Sequence, residues 1–319
     1  MKITLAKTAG FCFGVDRAVQ TVYDLLDRGE KVCTLGPIIH NPQMVAELEE
    51  RGVRIIDDPR NVRDGETMVI RSHGVGKDIY ELAESCGVNV CDATCPFVAK
   101  IHKIVAERSA LGDTVLIAGD PEHQEVIGIR GHSVGETYVF SSADELENIL
   151  KNHPNLRQKA VTAVSQTTFN AKKWIFAQEI LKKVCTNVKI FDTICNATSM
   201  RQSEARELAA HNDVMIVIGG RHSSNTSKLF DVCSSLCKRT LLVETAAELS
   251  ASYFDGCRSV GVVAGASTPA GIIKEVIKTM SEILQPVEEQ TEVKESVQKS
   301  FEEMTDEEAF EASLSGLTG

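Results

Sequence analysis

Three cysteines, Cys12, Cys95 and Cys195, each open a copy of one sequence unit, and this repetition constrains the fold more than any other feature of the chain. A glycine follows each cysteine by 24 residues, at Gly36, Gly119 and Gly219. Four residues later come His40, His123 and Ser223. The flanking text repeats as LGPIIHNP, IAGDPEHQEV and VIGGRHSSNTSKL. A third block, VIRSHGVGKDI, AVSQTTFNAKK and VVAGASTPAGI, aligns His73, Thr167 and Ser267. Self-similarity at a fixed offset marks repeated structural units. The repeat predicts three small units sharing one centre, each supplying one thiol and two polar side chains.

Short β-branched runs alternate with amphipathic stretches inside each repeat. KVCTLG, TMVIRSHG, TVLIAGD, KAVTAVSQ, VMIVIGG and SVGVVAGAS read as buried parallel strands. DRAVQTVYDLLDRG, FVAKIHKIVAERSALG and SMRQSEARELAAHN read as crossover helices between them. The expected fold class is therefore α/β, with a small, mostly parallel sheet in each repeat. The boundaries fall at 13–95 for the first α/β unit, 96–193 for the second, and 194–285 joined by 1–12 for the third. Residues 286–319 hold ten acidic side chains against two lysines, so most of the net charge of −11 lies in that tail. Its few large apolar residues, Phe301, Met304, Phe310 and Leu314, predict a disordered or linker segment rather than core. The remaining body is near neutral, which argues against nucleic-acid binding by residues 1–285. No apolar run approaches the length of a membrane span, and MKITLAKTAGFC has no signal-type apolar region. The expected compartment is the cytoplasm, where ten cysteines imply thiols or metal ligands rather than disulfides.

All nine repeated positions fall where a strand gives way to a helix, the edge at which open α/β sheets bind ligands. FCFGVDRAV, TCPFVAKIH and ICNATSMRQ each place a cysteine just before a helix. Helix N-termini favour the thiolate that a metal requires. Three thiolates on one axis suit zinc or an iron–sulfur cluster. Cys33 falls at a strand position matched by Leu116 and Ile216 and is assigned to the core. The polar set His40, His73, His123, Ser223, Ser224, Asn225 and Ser267 suits a phosphate or diphosphate, although Ser223 and its neighbours also read as plain helix caps. No phosphate-cradling nucleotide motif is present. Glu125 is the one acidic residue of the repeated ring, and a lone carboxyl among neutral donors is a candidate proton donor whose burial would raise its pKa. Thr167 is placed to hydrogen-bond that carboxyl or a substrate hydroxyl.

The ordered motifs AGFCFGVDRAV, GPIIHNP, RSHGV, DATCPFV, EHQEVIGI, SQTT, DTICNAT, RHSSNTSKL and AGASTP resemble the signature set of the 4-hydroxy-3-methylbut-2-enyl diphosphate reductase family, also called IspH/LytB, over residues 1 to 283. The resemblance implies a trefoil of three α/β units around a central [4Fe–4S] cluster, one per chain. It implies cluster ligation by Cys12, Cys95 and Cys195, with the fourth iron left without a protein ligand. It further implies reductive removal of the allylic hydroxyl of (E)-4-hydroxy-3-methylbut-2-enyl diphosphate, giving isopentenyl and dimethylallyl diphosphates. This is the last step of the non-mevalonate isoprenoid pathway, fed by a ferredoxin- or flavodoxin-type electron donor. By motif position, His40, His73, His123, Ser223, Ser224, Asn225 and Ser267 would hold the diphosphate. Glu125 would deliver protons, with Thr167 in its relay. Two other classes fit the same thiols: a non-redox iron–sulfur dehydratase, and a cluster- or zinc-binding regulatory module.

Overall fold

The structure is a computed structural model that describes residues 2–284. The chain opens with β1 (Lys2–Leu5) and α1 (Phe13–Asp27). It continues through β2 (Lys31–Leu35), α2 (Pro42–Glu50), β3 (Arg54–Ile56), β4 (Glu66–Ile70), α3 (Lys77–Ser85) and β5 (Asn89–Asp92). Next come α4 (Pro96–Ala110), β6 (Thr114–Ala118), α5 (Gln124–Arg130), β7 (Thr137–Phe140), α6 (Ala143–Asn152), β8 (Val161–Ser165), α7 (Ala171–Val184) and β9 (Val188–Ile190). The described chain ends with α8 (Asn196–His211), β10 (Val214–Ile218), α9 (Ser224–Ser234), β11 (Thr240–Val243), β12 (Ser259–Ala264) and α10 (Ala270–Leu284). The expected acidic tail, 286–319, lies outside the described residues.

The strands form three four-stranded sheets, ordered β3-β2-β4-β5, β7-β6-β8-β9 and β11-β10-β12-β1, and every pairing is parallel. The three orders are one order. In each, two central strands carry the second and third repeated blocks, and the strand before the cysteine lies on one edge. For Cys12 that edge strand is β1, so the third sheet is completed by the N-terminal end of the chain.

The six runs read as strands from sequence are the six central strands, buried along nearly their whole length. Parallel sheets covered on both faces need such apolar runs. Along β6 the side chains alternate: Leu116 and Ala118 pack with Leu146, Trp174 and Leu181 of α6 and α7. Val115 and Ile117 pack instead with Ile101, Val105, Val126 and Ile129 of α4 and α5. β10 does the same, Ile216 and Ile218 facing α10, and Met215 and Val217 facing α8 and α9. Trp174 is 1% exposed, and its truncation to alanine would cost about 3–5 kcal/mol.

Local chemistry ends the helices where the loops begin. Ser142 caps α6 by accepting from the Glu145 N–H, and Asn170 caps α7 by accepting from the Lys173 N–H. Such caps contribute about 1 kcal/mol each. At the end of α3, Gly87 takes φ +67°, and the Gly87 and Val88 N–H groups donate to the Glu84 and Ala83 carbonyls. This glycine-terminated pattern satisfies carbonyls that the helix leaves open.

Chain packing separates two compact bodies, residues 2–13, 40–42 and 196–284 in one, and 14–39 and 43–195 in the other. The first holds the sheet of β11, β10, β12 and β1; the second holds the other two sheets. No helix among the described residues is long and apolar enough to cross a membrane.

Candidate active site

Every one of the nine repeated residues lies in a loop, or at a helix cap, beyond the carboxyl end of a strand. Cys12, Cys95 and Cys195 follow the edge strands β1, β5 and β9. His40, His123 and Ser223 follow β2, β6 and β10, while His73, Thr167 and Ser267 follow β4, β8 and β12. The glycine four residues ahead of the second set is sterically required. A Cβ on Gly119 would sit 2.6 Å from Val126 Cγ2, and one on Gly219 would sit 2.6 Å from Thr226 Oγ1. Gly36 and Gly219 also take φ +69° and +145°. These strand ends pass too close to the following helix or loop for any side chain.

The three cysteines are anchored alike. The backbone N–H of Cys12 donates to the Ala266 carbonyl at 3.2 Å, that of Cys95 to Ser72 at 3.0 Å, and that of Cys195 to Thr167 at 3.0 Å. Each acceptor lies in the loop that carries the third repeated block, so thiol and polar loop are tied together three times. No disulfide joins any of the ten cysteines. The three thiol-bearing residues are half-buried, and Cys95 sits at the N-cap of α4 with Pro96 behind it. Gly14 leaves room beside Cys95: a Cβ there would lie 2.6 Å from the Cys95 Sγ. Cys33 is fully buried, and burial pushes its thiol up to about 11. A thiol held protonated in the core is not a metal ligand, in keeping with its place in the repeat.

In the body built on residues 14–39 and 43–195, Glu125 is buried in the first turn of α5. The Thr167 N–H donates to Glu125 Oε1 at 2.6 Å, and the Thr167 hydroxyl donates to Oε2 at 2.7 Å. Burial pushes the Glu125 carboxyl up to about 7, against the two Thr167 hydrogen bonds that pull it down. The desolvation cost of a buried carboxylate exceeds what the two donors return. His123 caps α5, its Nδ1 accepting from the Glu125 N–H at 3.1 Å. With Nδ1 as acceptor, the neutral ring carries its proton on Nε2 as a donor. The His73 and His123 rings meet edge to face, 5.4 Å between centroids.

In the other body, Ser223 caps α9 and accepts from the Thr226 N–H at 3.4 Å. The Ser267 hydroxyl donates to Ser223 Oγ at 3.3 Å and to the His40 carbonyl at 3.5 Å. Ser224 and Asn225 form the first turn of α9. Asn225 is 4% exposed, and its amide nitrogen Nδ2 has no hydrogen-bond partner. A buried amide donor without an acceptor, at the positive end of a helix, is arranged for an anion.

The LytB protein family model matches residues 3–281 of the chain. The chain belongs to the LytB family. A 4-hydroxy-3-methylbut-2-enyl diphosphate reductase from Caldanaerobacter subterraneus subsp. tengcongensis is 44% identical over 287 residues, covering 89% of this chain and 98% of that protein. The reductase of the same name from Geobacter sulfurreducens is 44% identical over 282 residues, covering 88% and 98%. Among solved structures, (E)-4-hydroxy-3-methyl-but-2-enyl diphosphate reductase, described as the terminal enzyme of the non-mevalonate pathway, superposes with a TM-score of 0.64 at 39% identity. That alignment covers 88% of this chain and all of the other. A Plasmodium falciparum reductase, named for E-1-hydroxy-2-methyl-but-2-enyl-4-diphosphate, superposes with a TM-score of 0.80 at 26% identity, covering 90% and 89%. These LytB relatives carry the α/β fold expected from the repeat.

Sequence reasoning passed over three residues at this edge of the LytB chain. Arg71 and Gln124 pair beside the histidine loops, the Arg71 guanidinium donating to Gln124 Oε1 at 2.5 Å. His102 of α4 stacks on His132, ring centroids 4.1 Å apart, and fills the space that glycine leaves at Gly74. Burial, aided by His132, drives the His102 pKa down to about 3, so His102 is a neutral wedge behind the His73 loop. The signal available for Gly74 was its position next to His73; nothing in the sequence pointed to His102.

Proposed function

We propose that this chain is a 4-hydroxy-3-methylbut-2-enyl diphosphate reductase of the cytoplasm, completing the non-mevalonate route to isopentenyl and dimethylallyl diphosphates. Two electrons enter the allylic system and its C–O bond breaks. One proton leaves with the hydroxyl as water, and the second goes to the allyl carbanion, at the former carbinol carbon to give dimethylallyl diphosphate or at the other allylic end to give isopentenyl diphosphate. The observation that carries this reading is Glu125, a buried carboxyl held near neutrality and aligned by both donors of Thr167. Such a group can hold a proton at working pH and release it to a departing hydroxyl.

The residues fit an iron–sulfur cluster. Cys12, Cys95 and Cys195 occupy equivalent loops, and Gly14 keeps space open beside the Cys95 sulfur. Three thiolates would hold a [4Fe–4S] cluster with its fourth iron free of protein ligands. When bound, that cluster supplies one-electron steps and a Lewis-acidic iron for the substrate oxygen. The chain's own residues do the rest. His40, His73, His123, Ser223, Ser224, Asn225 and Ser267 hold the diphosphate through N–H and O–H donors, and that remote binding orients the allylic end. The Asn225 Nδ2 and the proton placed on His123 Nε2 support this assignment. Thr167 fixes the Glu125 carboxyl while the proton moves. We take each sheet with its helices as one of three repeated units, 13–95, 96–193 and 194–285 with 1–12; the shared strand order supports this division. A ferredoxin- or flavodoxin-type carrier is the donor class that one-electron delivery requires. Anaerobic incubation with the allylic diphosphate and reduced methyl viologen tests the reading. The two isomeric diphosphates are the expected products, and their absence from cluster-loaded protein would refute it.

A further inference from the structure

We propose that Arg71 is a ligand-binding residue of this site: it supplies the fixed positive charge, and a phosphate group of the bound diphosphate is the counter-ion it lacks. The proposal rests on the functional reading above and extends it to a residue outside the repeated polar positions. Arg71 follows β4 directly, two residues before His73, and is 9% exposed. Among the described residues its guanidinium forms no ion pair. Its one hydrogen bond goes to the neutral amide of Gln124, and its Nε has no partner. In the same body Arg54 pairs with Glu66 at 3.0 Å and Arg108 with Asp113 at 2.6 Å, while the half-buried Arg17 donates to the Thr94 carbonyl at 2.9 Å. A buried charge left without a counter-ion is costly, and a guanidinium cannot escape by losing its proton.

The surroundings do nothing to neutralise it. Gln124, the first residue of α5, offers the guanidinium a neutral amide oxygen and no charge. On the other side the Arg71 side chain runs over Gly36, the glycine 24 residues after Cys12, where a Cβ would overlap Nη1. The glycine of the first repeat thus makes room for an arginine. At the equivalent places, Gly119 meets Val126 and Gln166, and Gly219 meets Thr226 and Thr268. The repeat itself shows the asymmetry: the positions matching Arg71 are Ser165 and Gly265, so one cation stands among three equivalent sites. Burial lowers the pKa of Arg71 from its ordinary value, and a guanidinium has no neutral form to retreat to in a protein. The other donors assigned to the diphosphate carry no fixed charge, and a planar fork of N–H groups is well matched to a phosphate. A site for a multiply charged anion with one unpaired buried cation at its edge is electrostatically complete only when loaded.

Binding of inorganic diphosphate to the anaerobically purified chain, measured by calorimetry alongside the melting temperature, tests this. Arg71→Met is expected to weaken diphosphate binding by about tenfold or more, the worth of a charge-assisted hydrogen bond. The ligand-free variant should melt no lower than the parent, because an unpaired buried charge has been removed. Arg71→Lys keeps the charge without the fork and should recover part of the affinity. Affinity within about twofold of the parent in Arg71→Met overturns the proposal. So does a lost affinity joined to a lower melting temperature, with no recovery of affinity in Arg71→Lys, which is the pattern of an arginine that only holds the fold. Failure of the parent chain to bind diphosphate overturns the functional reading instead, and this proposal with it.

Discussion

Replacing Glu125 by glutamine should make the protein more stable and nearly inactive at the same pH. In the folded chain the carboxyl titrates at about 7, raised by burial from an ordinary 4.5. Above pH 7 the group is ionised both folded and unfolded, and the folded state bears the net cost left after desolvation is partly offset by the Thr167 hydrogen bonds, about 3 kcal/mol. Between 7 and 4.5 the folded carboxyl is protonated while the unfolded one is still ionised, so the cost fades as pH falls. Glutamine is neutral throughout. Its carbonyl still accepts from the Thr167 N–H, and its amide can donate to a Thr167 hydroxyl that turns to accept. The Glu125→Gln chain should therefore melt several degrees above the parent at pH 8 and close to it at pH 5. Turnover should drop by about 10²–10⁴-fold because the amide cannot donate the carboxylic proton. In the parent, turnover should decline as pH rises through 7 and the donor ionises. Melting curves for both proteins at pH 5 and pH 8, paired with viologen-driven turnover, give the answer. An unchanged pH dependence of melting in the variant would show that another group carries it, and near-native turnover would move the proton elsewhere, with a ring histidine next in line.

Cys12→Ser, Cys95→Ser and Cys195→Ser should each lose stable cluster binding while Cys33→Ala keeps it, read from iron content and anaerobic absorbance; full occupancy in any of the three removes that residue from the ligand set. Gly14→Ala places a methyl 2.6 Å from the Cys95 sulfur, so iron content should fall although every ligand is retained. A chain truncated after Gln285 should keep parental turnover and melting temperature, since ordering the acidic tail would cost roughly 1–2 kcal/mol per residue with few apolar anchors to offset it. A large loss of either would make the tail part of the working fold.

The central strands were legible because a buried parallel strand writes an unbroken apolar run, as in VMIVIGG for β10. The edge strands β3 and β9 were not: three residues each, RII and VKI, half-covered, with a charge in or beside the run. Their strand character comes from pairing with a neighbour, which sequence periodicity does not record. The nine repeated residues were legible because the same loop is used three times. Arg71 was not, since an arginine beside a serine and a histidine reads as a solvated loop. What sets it apart is burial without a carboxylate, a property of the packing around Gly36 and Gln124. His102 escaped for a related reason: only the stacking on His132 and the contact at Gly74 reveal that it is a neutral wedge.

Reduction of the allylic diphosphate and its simple dehydration differ in the electrons they consume. Electron stoichiometry decides between them: under strict anaerobiosis, oxidation of viologen radical is followed by absorbance while the diphosphate products are counted by chromatography. Reductive loss of the hydroxyl predicts two viologen equivalents consumed for each molecule of isopentenyl or dimethylallyl diphosphate formed. Conversion of the substrate to a dehydrated diphosphate with no viologen oxidised would contradict this and assign the site to a non-redox dehydratase.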